Sequence, residues 1–163
     1  EVADGVFPIW MSPEKSDVLM SSIQKGLDKG GKTMMDFDIA PFVTVVMGDD
    51  VDHCRMPIKG SMALYIGGMG ARESNFYNDY AKALGYEEAA AKIQDLFLAG
   101  KKDEAMAAVP DELVDACHLV GPAGRIKERL QVWKEAGDSG KISSMLLGAG
   151  QIEALELVAG ELL

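Results

Sequence analysis

Residue types that commonly carry chemistry are sparse in this sequence. Its two histidines each stand beside one of its two cysteines, as His53-Cys54 and Cys117-His118. Such pairs could form a nucleophilic Cys–His dyad or contribute to a metal site, but a metal site needs further ligands at recognisable spacing. The sequence therefore predicts no metal ligand set, and structural positions explain both pairs better.

Two segments have features of anion binding. Gly67-Gly68-Met69-Gly70 is glycine-rich but lacks the spacing and context of a dinucleotide-binding loop, so a tight bend between helices is the simpler interpretation. Residues 121–124 open a predicted helix with Arg125 in its first turn, which could hold an anion or only water. The acidic pairs Asp49-Asp50 and Asp111-Glu112 fall at predicted helix starts, where interaction with the helix dipole explains them without acid–base catalysis.

Composition bounds the class of protein. The 163 residues are 48% apolar and 26% charged, as expected for one globular domain with a core. The net charge of −10 argues against nucleic acid or an anionic membrane surface as partner. No apolar run approaches the roughly 20 residues of a membrane span. Because the two cysteines lie far apart, the sequence predicts a reducing, cytoplasmic location.

Three apolar runs predict buried strands of a parallel sheet: Val6–Trp10, Phe37–Met47 and Ile142–Leu147. After the first run, Ser12 suits a helix N-cap, with Pro13 and Glu14 in the first turn, and Gly30-Gly31 ends the helix. The resulting order is β-α-β-(helical insertion)-α-β-α, which predicts right-handed crossovers. Three strands can neither close a barrel nor cover both sheet edges.

Helical patterns fill the insertion and the end of the chain. The insertion begins near Val51 and continues to about residue 116. Its later helices are predicted at Asn75–Leu84, Tyr86–Ala99 and Asp103–Val109. Leu119-Val120 is a short extended segment, and two further predicted helices follow it. The first has Ile126, Leu130 and Trp133 on its apolar side. The last covers residues 151–163 and has as its apolar side Leu155, Leu157, Val158 and Leu162.

Several long blocks resemble one protein family. Residues 3–10 with Ser12-Pro13-Glu14 resemble the sixth strand and following loop of the luciferase-like monooxygenase superfamily, and residues 38–46 resemble its seventh strand. Five further blocks resemble the deazaflavin-dependent branch of this superfamily: residues 64–71, 75–79, 94–100, 109–115 and 119–122. Residues 138–150 depart from the family pattern, because they are more polar and Gly148-Ala149-Gly150 lacks a proline.

The resemblance implies an α/β fold, the C-terminal part of a (β/α)8 TIM barrel. Residues 1–163 would form a single partial domain, running from strand six to the last helix, with the helical insertion at about 51–116. A full barrel needs about 250 residues. The implied activity is that of an F420-dependent oxidoreductase, in which a reduced deazaflavin donates hydride to a small-molecule substrate. FMN is the alternative cofactor, in a monooxygenase of the same superfamily.

The resemblance also implies the site residues. TIM barrels place their active sites at the carboxyl ends of the strands, here residues 10–12, 47–49 and 147–149. Trp10, Met11 and Ser12 are the candidate cofactor-binding residues, with Trp10 over a ring and Ser12 as a hydrogen-bond donor. Trp10 as core and Ser12 as a helix cap remain an open alternative.

The insertion would lie over the barrel mouth. Tyr65, Asn75, Tyr77 and Asn78 are its candidate substrate-lid residues, supplying amide and phenol hydrogen bonds. A packed helical cap or a dimer surface is the alternative. A different class of function also stays open: a non-catalytic half-barrel that pairs with a second copy, covering its open strands and using some of the ten methionines as contacts. Either way, a homodimer or higher homo-oligomer is expected.

Overall fold

The computed structural model describes residues 2–163, which divide into two compact units. Unit 1 contains the residues up to Val51 together with Ala116–Leu163, and unit 2 comprises Asp52–Asp115. All named strands lie in unit 1, and unit 2 is helical. No helix in the described range is long and apolar enough to cross a membrane.

Eight α-helices occur in the described residues: α1 (Asp17–Gly30), α2 (Val51–Gly68), α3 (Phe76–Ala83), α4 (Glu87–Leu98), α5 (Lys102–Ala107), α6 (Asp111–Cys117), α7 (Ala123–Asp138) and α8 (Ile152–Leu162). A short 3-10 helix spans Met34–Asp36.

The strands of unit 1 are short, and every strand pairing is parallel. β1 (Gly5–Val6) pairs with β2 (Asp38–Ile39). β3 (Phe42–Met47) is the central strand of a second sheet, between β4 (Leu119–Gly121) and β5 (Leu146–Ala149). Parallel strands joined through helices confirm the predicted α/β class, with the helical insertion between β3 and β4.

Strand bounds differ from the prediction for identifiable reasons. The run Val6–Trp10 is strand only at its start. Its last hydrogen bond to the neighbouring strand segment runs from Phe42 N–H to the Pro8 carbonyl, at 2.9 Å, and the chain then turns away from the sheet. The run Phe37–Met47 divides at Pro41, which has no N–H to donate. The last strand lies at Leu146–Ala149 rather than Ile142–Leu147.

The predicted start of the first helix is wrong. α1 begins at Asp17, with Ser16 rather than Ser12 at the N-cap. The Ser12 hydroxyl instead donates to the Glu14 carboxylate at 3.2 Å, so it serves the loop before the helix. The predicted end is confirmed. Gly31 adopts the left-handed conformation, with φ of 65°, and its N–H donates to the carbonyls of Leu27 and Asp28 in the last turn of α1.

The core of unit 1 covers one face of β3. Val43 and Val45 are at most 1% exposed and belong to a buried cluster that includes, from α7 and α8, Ile126, Leu130, Trp133, Ala136, Ala154 and Val158. The alternate residues of the strand are only half-buried, so the predicted buried strand is fully covered on one face only. In α8, Val158 is buried as predicted, but Leu155 and Leu162 are 39% and 36% exposed.

The glycine-rich segment of unit 2 is helix for longer than predicted. α2 continues through Gly67 and Gly68, and the bend follows at residues 69–74. The two glycines allow α4 to approach, because a Cβ at Gly67 would lie 2.4 Å from the Cβ of Phe97. An ion-pair group also ties α2 to α6: Arg55 contacts Asp115 at 2.6 Å, and Lys59 contacts Asp111 at 2.5 Å.

Side chains complete the hydrogen bonding of the β2–β3 segment. Thr44 N–H donates to Nδ1 of His118 at 3.1 Å, where β1 has left that edge and β4 has not yet begun. On the opposite edge, the Ser143 hydroxyl accepts from Ile39 N–H, and the Gln151 amide pairs with Met47. These bonds satisfy strand groups that would otherwise be buried without a partner.

The His118 bond predicts a pH-dependent stability. Burial lowers the pKa of His118 to about 4, from 6.5. As the pH falls, the unfolded chain binds a proton on His118 before the folded protein does. The stabilising contribution of the neutral imidazole is therefore complete above pH 6.5. It is lost as the pH falls towards 4, which lowers the free energy of unfolding by about 3 kcal/mol. Chemical denaturation of wild type and His118→Asn over this range measures it. The asparagine oxygen still accepts from Thr44, so the variant should lack this part of the pH dependence, and identical slopes would contradict the prediction.

The contact of Gly67 with Phe97 predicts a position-specific cost. Gly67→Ala should lower the free energy of unfolding by about 1–3 kcal/mol, because its methyl group overlaps the Phe97 side chain. Gly60→Ala in the same helix is the matched control, since its Cβ would meet only Met106 Sδ at 3.6 Å. The control should gain about 0.5–1 kcal/mol. Thermal melting of both variants checks the difference, and equal effects would disprove the steric explanation.

Candidate functional site

The candidate cofactor loop is tightly packed within unit 1. Trp10 is 4% exposed, Met11 is fully buried in the core cluster, and Ser12 is 2% exposed. The chain itself therefore covers most of these side chains, and their positions are determined by packing. A cofactor beside this loop would meet a preformed wall.

An ion pair to helix α7 also holds this loop. The guanidinium of Arg129 on α7 binds both carboxylate oxygens of Glu14, through Nη1 and, at 2.8 Å, through Nη2. Nη2 also donates to the Ala116 carbonyl at 2.7 Å. Burial raises the pKa of Glu14, but the hydrogen bonds from Arg129, from a backbone N–H and from Ser12, together with the charge of Arg129, outweigh it, so the pKa lies below its ordinary value. Glu14 is consequently a charged anchor rather than a proton donor.

The carboxyl end of β3 is fixed on both edges. Gly48 N–H donates to the Gly121 carbonyl at 3.1 Å on one edge. Gln151 accepts from Met47 N–H and donates to the Met47 carbonyl on the other, both at 2.8 Å. Asp49 follows as an exposed residue. Beside them in β5, Gly148 lacks a side chain where a Cβ would lie 2.4 Å from Cζ of Phe42.

The helices that follow β4 and β5 begin without a side-chain cap. Pro122 and Gln151 occupy the N-caps of α7 and α8, and neither side chain binds the helix N–H groups. Near these starts, a Cβ at Gly124 or Gly150 would have no neighbour within 4 Å. Uncapped N–H donors beside open space fit the anionic part of a cofactor. Arg125 itself is directed back, with Nε donating to the Val120 carbonyl at 3.1 Å.

Two of the candidate lid residues bind backbone groups in unit 2. Asn75 caps α3, with Oδ1 accepting from the N–H groups of Tyr77 and Asn78, and its Nδ2 donates to the carbonyls of Tyr65 and Ile66. Asn78 Nδ2 donates to the carbonyls of Ile66 and Ala90. Both asparagines are 2% exposed, so their amide groups hold the end of α2 against α3 and α4.

The two candidate tyrosines are in contact with each other. The rings of Tyr65 and Tyr77 meet edge to face, with centroids 4.7 Å apart. Phe76 packs against Tyr77 at 5.4 Å and is itself 67% exposed. Burial, and secondarily Tyr65, raises the pKa of Tyr77, so its phenol keeps its proton at neutral pH. The structure therefore brings all four candidate lid residues together within unit 2.

The Cys–His pairs have structural surroundings. Cys117 is fully buried, and burial raises its pKa to about 12, which leaves no thiolate for nucleophilic attack. His118 completes the β3 edge, as described above. Cys54 is also buried. Within residues 2–163, no group of three or more His, Cys, Asp or Glu side chains is arranged to hold a metal ion.

The side chains that hold this site carry little signal in the sequence. Gln151 and Arg129 lie on predicted helices, where polar residues are usually read as solvent-facing. Their partners Met47 and Glu14 are 104 and 115 residues away along the chain. The one usable signal was Gln151 itself, because glutamine is a poor N-cap and stands where Ser, Thr, Asn or Asp would be favoured.

Curated relatives match nearly the whole chain. The chain is 35% identical over 161 residues to a Mycobacterium tuberculosis protein described as "putative coenzyme F420-dependent oxidoreductase Rv3520c", a match that covers 98% of this chain and 45% of that protein. It is 22% identical to the 5,10-methylenetetrahydromethanopterin reductase of Archaeoglobus fulgidus, over 100% of this chain and 48% of that protein. The chain thus spans about half the length of these relatives.

Solved structures support the fold. The coenzyme F420-dependent tetrahydromethanopterin reductase of Methanopyrus kandleri superposes with a TM-score of 0.68 at 20% identity, over 99% of this chain and 45% of that chain. An F420-dependent secondary alcohol dehydrogenase gives a TM-score of 0.58 at 13% identity, over 98% of this chain and 41% of that chain. The fold is therefore that of part of a TIM barrel, as predicted.

The model of one family accounts for most of the sequence. It is the luciferase-like monooxygenase model, and it matches residues 1–140. The family implied by the resemblance is confirmed by this match: the chain belongs to the luciferase-like monooxygenase family.

Proposed function

We propose that this chain is part of an oxidoreductase that transfers a hydride between coenzyme F420 and a small organic substrate. The observation that carries the proposal is the 35% identity to the mycobacterial F420-dependent oxidoreductase, which extends over 98% of the chain. A bound deazaflavin supplies the hydride chemistry itself, and the protein binds it, orients it and excludes water.

In unit 1, we place the cofactor against the loop of Trp10, Met11 and Ser12, whose side chains pack inward, together with the carboxyl ends of β3 and β5. Active sites of barrel enzymes lie at these strand ends. Packing and the Glu14–Arg129 pair hold the loop, which supports its role as a fixed surface against a planar ring. Fixed geometry favours hydride transfer, because the reacting atoms must meet at close range.

In unit 2, we assign substrate contact to Tyr65 and Tyr77. Both are half-buried, and the Tyr77 phenol stays protonated at neutral pH, so it can donate a hydrogen bond to an oxygen of the substrate. Asn75 and Asn78 are positioning residues in this proposal, because their amides already bind the backbone around the two tyrosines.

Two other candidate functions have specific support. The family description favours a monooxygenase, for which FMN would be the cofactor. A non-catalytic half-barrel that pairs with a second copy is favoured by the exposure of Phe7 and Leu146, 54% and 45%, at the strands of unit 1. Light scattering identifies the last candidate if the protein forms a stable dimer and binds neither cofactor.

Cofactor titration tests the proposal directly. We expect the protein, in its complete native form, to bind coenzyme F420 saturably with a dissociation constant on the order of 10 μM or below. Quenching of deazaflavin fluorescence measures it, and FMN serves as the control ligand. Binding of FMN without F420 would support the monooxygenase candidate, and binding of neither would contradict both enzyme candidates.

The Glu14–Arg129 pair predicts a binding defect without loss of fold. Glu14→Gln should weaken F420 binding by about 3–10-fold, because the neutral amide binds Arg129 less strongly and releases the loop. Its cost in stability should stay near 1 kcal/mol, as for a partly exposed pair. Glu161→Gln removes the pair between Lys127 and Glu161, which joins α7 to α8, and is the control expected to leave binding unchanged. Equal binding by both variants would show that the loop needs no such anchor.

A further inference from the structure

The Gln151 side chain extends the β3–β5 ladder beyond its last paired residue. The backbone register ends at Val45 opposite Ala149, and Gly150 then turns the chain into α8. Met47 would come next on the same edge of β3. Its N–H donates to Gln151 Oε1 and its carbonyl accepts from Gln151 Nε2, both at 2.8 Å. A primary amide has the donor and acceptor of a peptide group. The Gln151 side chain therefore takes the place of one more residue of β5 opposite β3.

This use of Gln151 has a local cost. The residue is the N-cap of α8, with extended φ and ψ of −116° and 125°, yet its side chain makes no hydrogen bond to the helix N–H groups. A Ser, Thr, Asn or Asp at this position would cap the helix and stabilise it. The side chain at this position binds the strand instead of the helix.

The bonded residue stands at the edge where the proposed cofactor site lies. Met47 is the last residue of β3, and Gly48 and Asp49 continue from its carboxyl end. Gly48 N–H is held by the Gly121 carbonyl at 3.1 Å on the opposite edge. With Gln151 on one side and Gly121 on the other, successive peptide groups at this strand end have little freedom to move.

We propose that Gln151 is a positioning residue of the cofactor site: its amide clamps both backbone polar groups of Met47 and thereby holds the Met47–Asp49 turn in the conformation that receives the deazaflavin. This inference rests on the proposed function. Gln151 acts through the backbone of Met47 and needs no contact with the cofactor. The ligand class is a deazaflavin, for which coenzyme F420 is the probe.

The test compares variants at the two ends of the same strand edge. Gln151→Met keeps the side-chain length and removes both hydrogen bonds, and Gln151→Glu keeps only the acceptor for Met47 N–H. Ser143→Ala is the matched control, because it removes a side-chain bond to Ile39 at the amino end of the same edge, 3.1 Å in length. Coenzyme F420 binding, thermal melting and amide hydrogen exchange at Met47 and Gly48 are measured for each in the complete native protein.

We expect Gln151→Met to weaken F420 binding about tenfold and to speed exchange at Met47, since a misplaced site loses affinity steeply. Gln151→Glu should bind between Gln151→Met and wild type. Ser143→Ala should melt earlier but bind as wild type.

Two results would overturn the inference: wild-type affinity in Gln151→Met, or equal weakening in Ser143→Ala, which would show a general loss of stability. Failure of the wild-type protein to bind F420 would be a different result, because it removes the proposed function on which the inference rests.

Discussion

The pairing of the β2–β3 backbone is the constraint on which unit 1 depends. A parallel strand needs partners on both edges, and the neighbours available here are too short to supply them all. β1 serves only the beginning of one edge and β4 only its end. His118, Ser143 and Gln151 supply the remaining donors and acceptors. The sheet therefore relies on three polar side chains to complete the hydrogen bonding that its short strands leave open.

Packing and hydrogen bonds also hold the two segments of the proposed cofactor surface. The loop after β1 is buried beside the core and is tied to α7 through Glu14 and Arg129. The turn after β3 is held from both edges by Gln151 and Gly121. Hydrogen bonds of this kind restrict motion more than they add net stability, since each replaces a bond to water. Their value lies in the geometry that they maintain.

Local signals predicted the elements better than their junctions. Periodicity and glycine positions located the helices of the insertion to within a few residues, and Gly31 ends α1 as expected. The start of α1 was missed because Ser12 and Glu14 have all the features of a capping turn, yet Arg129, far away in sequence, takes the carboxylate. The sequence predicts a bend at Gly67 and Gly68, because it does not show that the Phe97 side chain occupies the space where their Cβ atoms would lie. In both places, a residue distant in the sequence determines where the helix begins or ends.

The position of the insertion has a consequence for how such proteins can diverge. Unit 2 leaves unit 1 after β3 and returns to it before β4, and these two strands are direct neighbours, with Met47 opposite Gly121. The two points of attachment are thus close together, as in sites where domains tolerate exchange or lengthening. The residues of unit 2, 52–115, can change in length or sequence while the strand pairing around β3 stays intact. Under the proposed function, selection for a new substrate can act on unit 2 and leave the strand pairing of unit 1 intact.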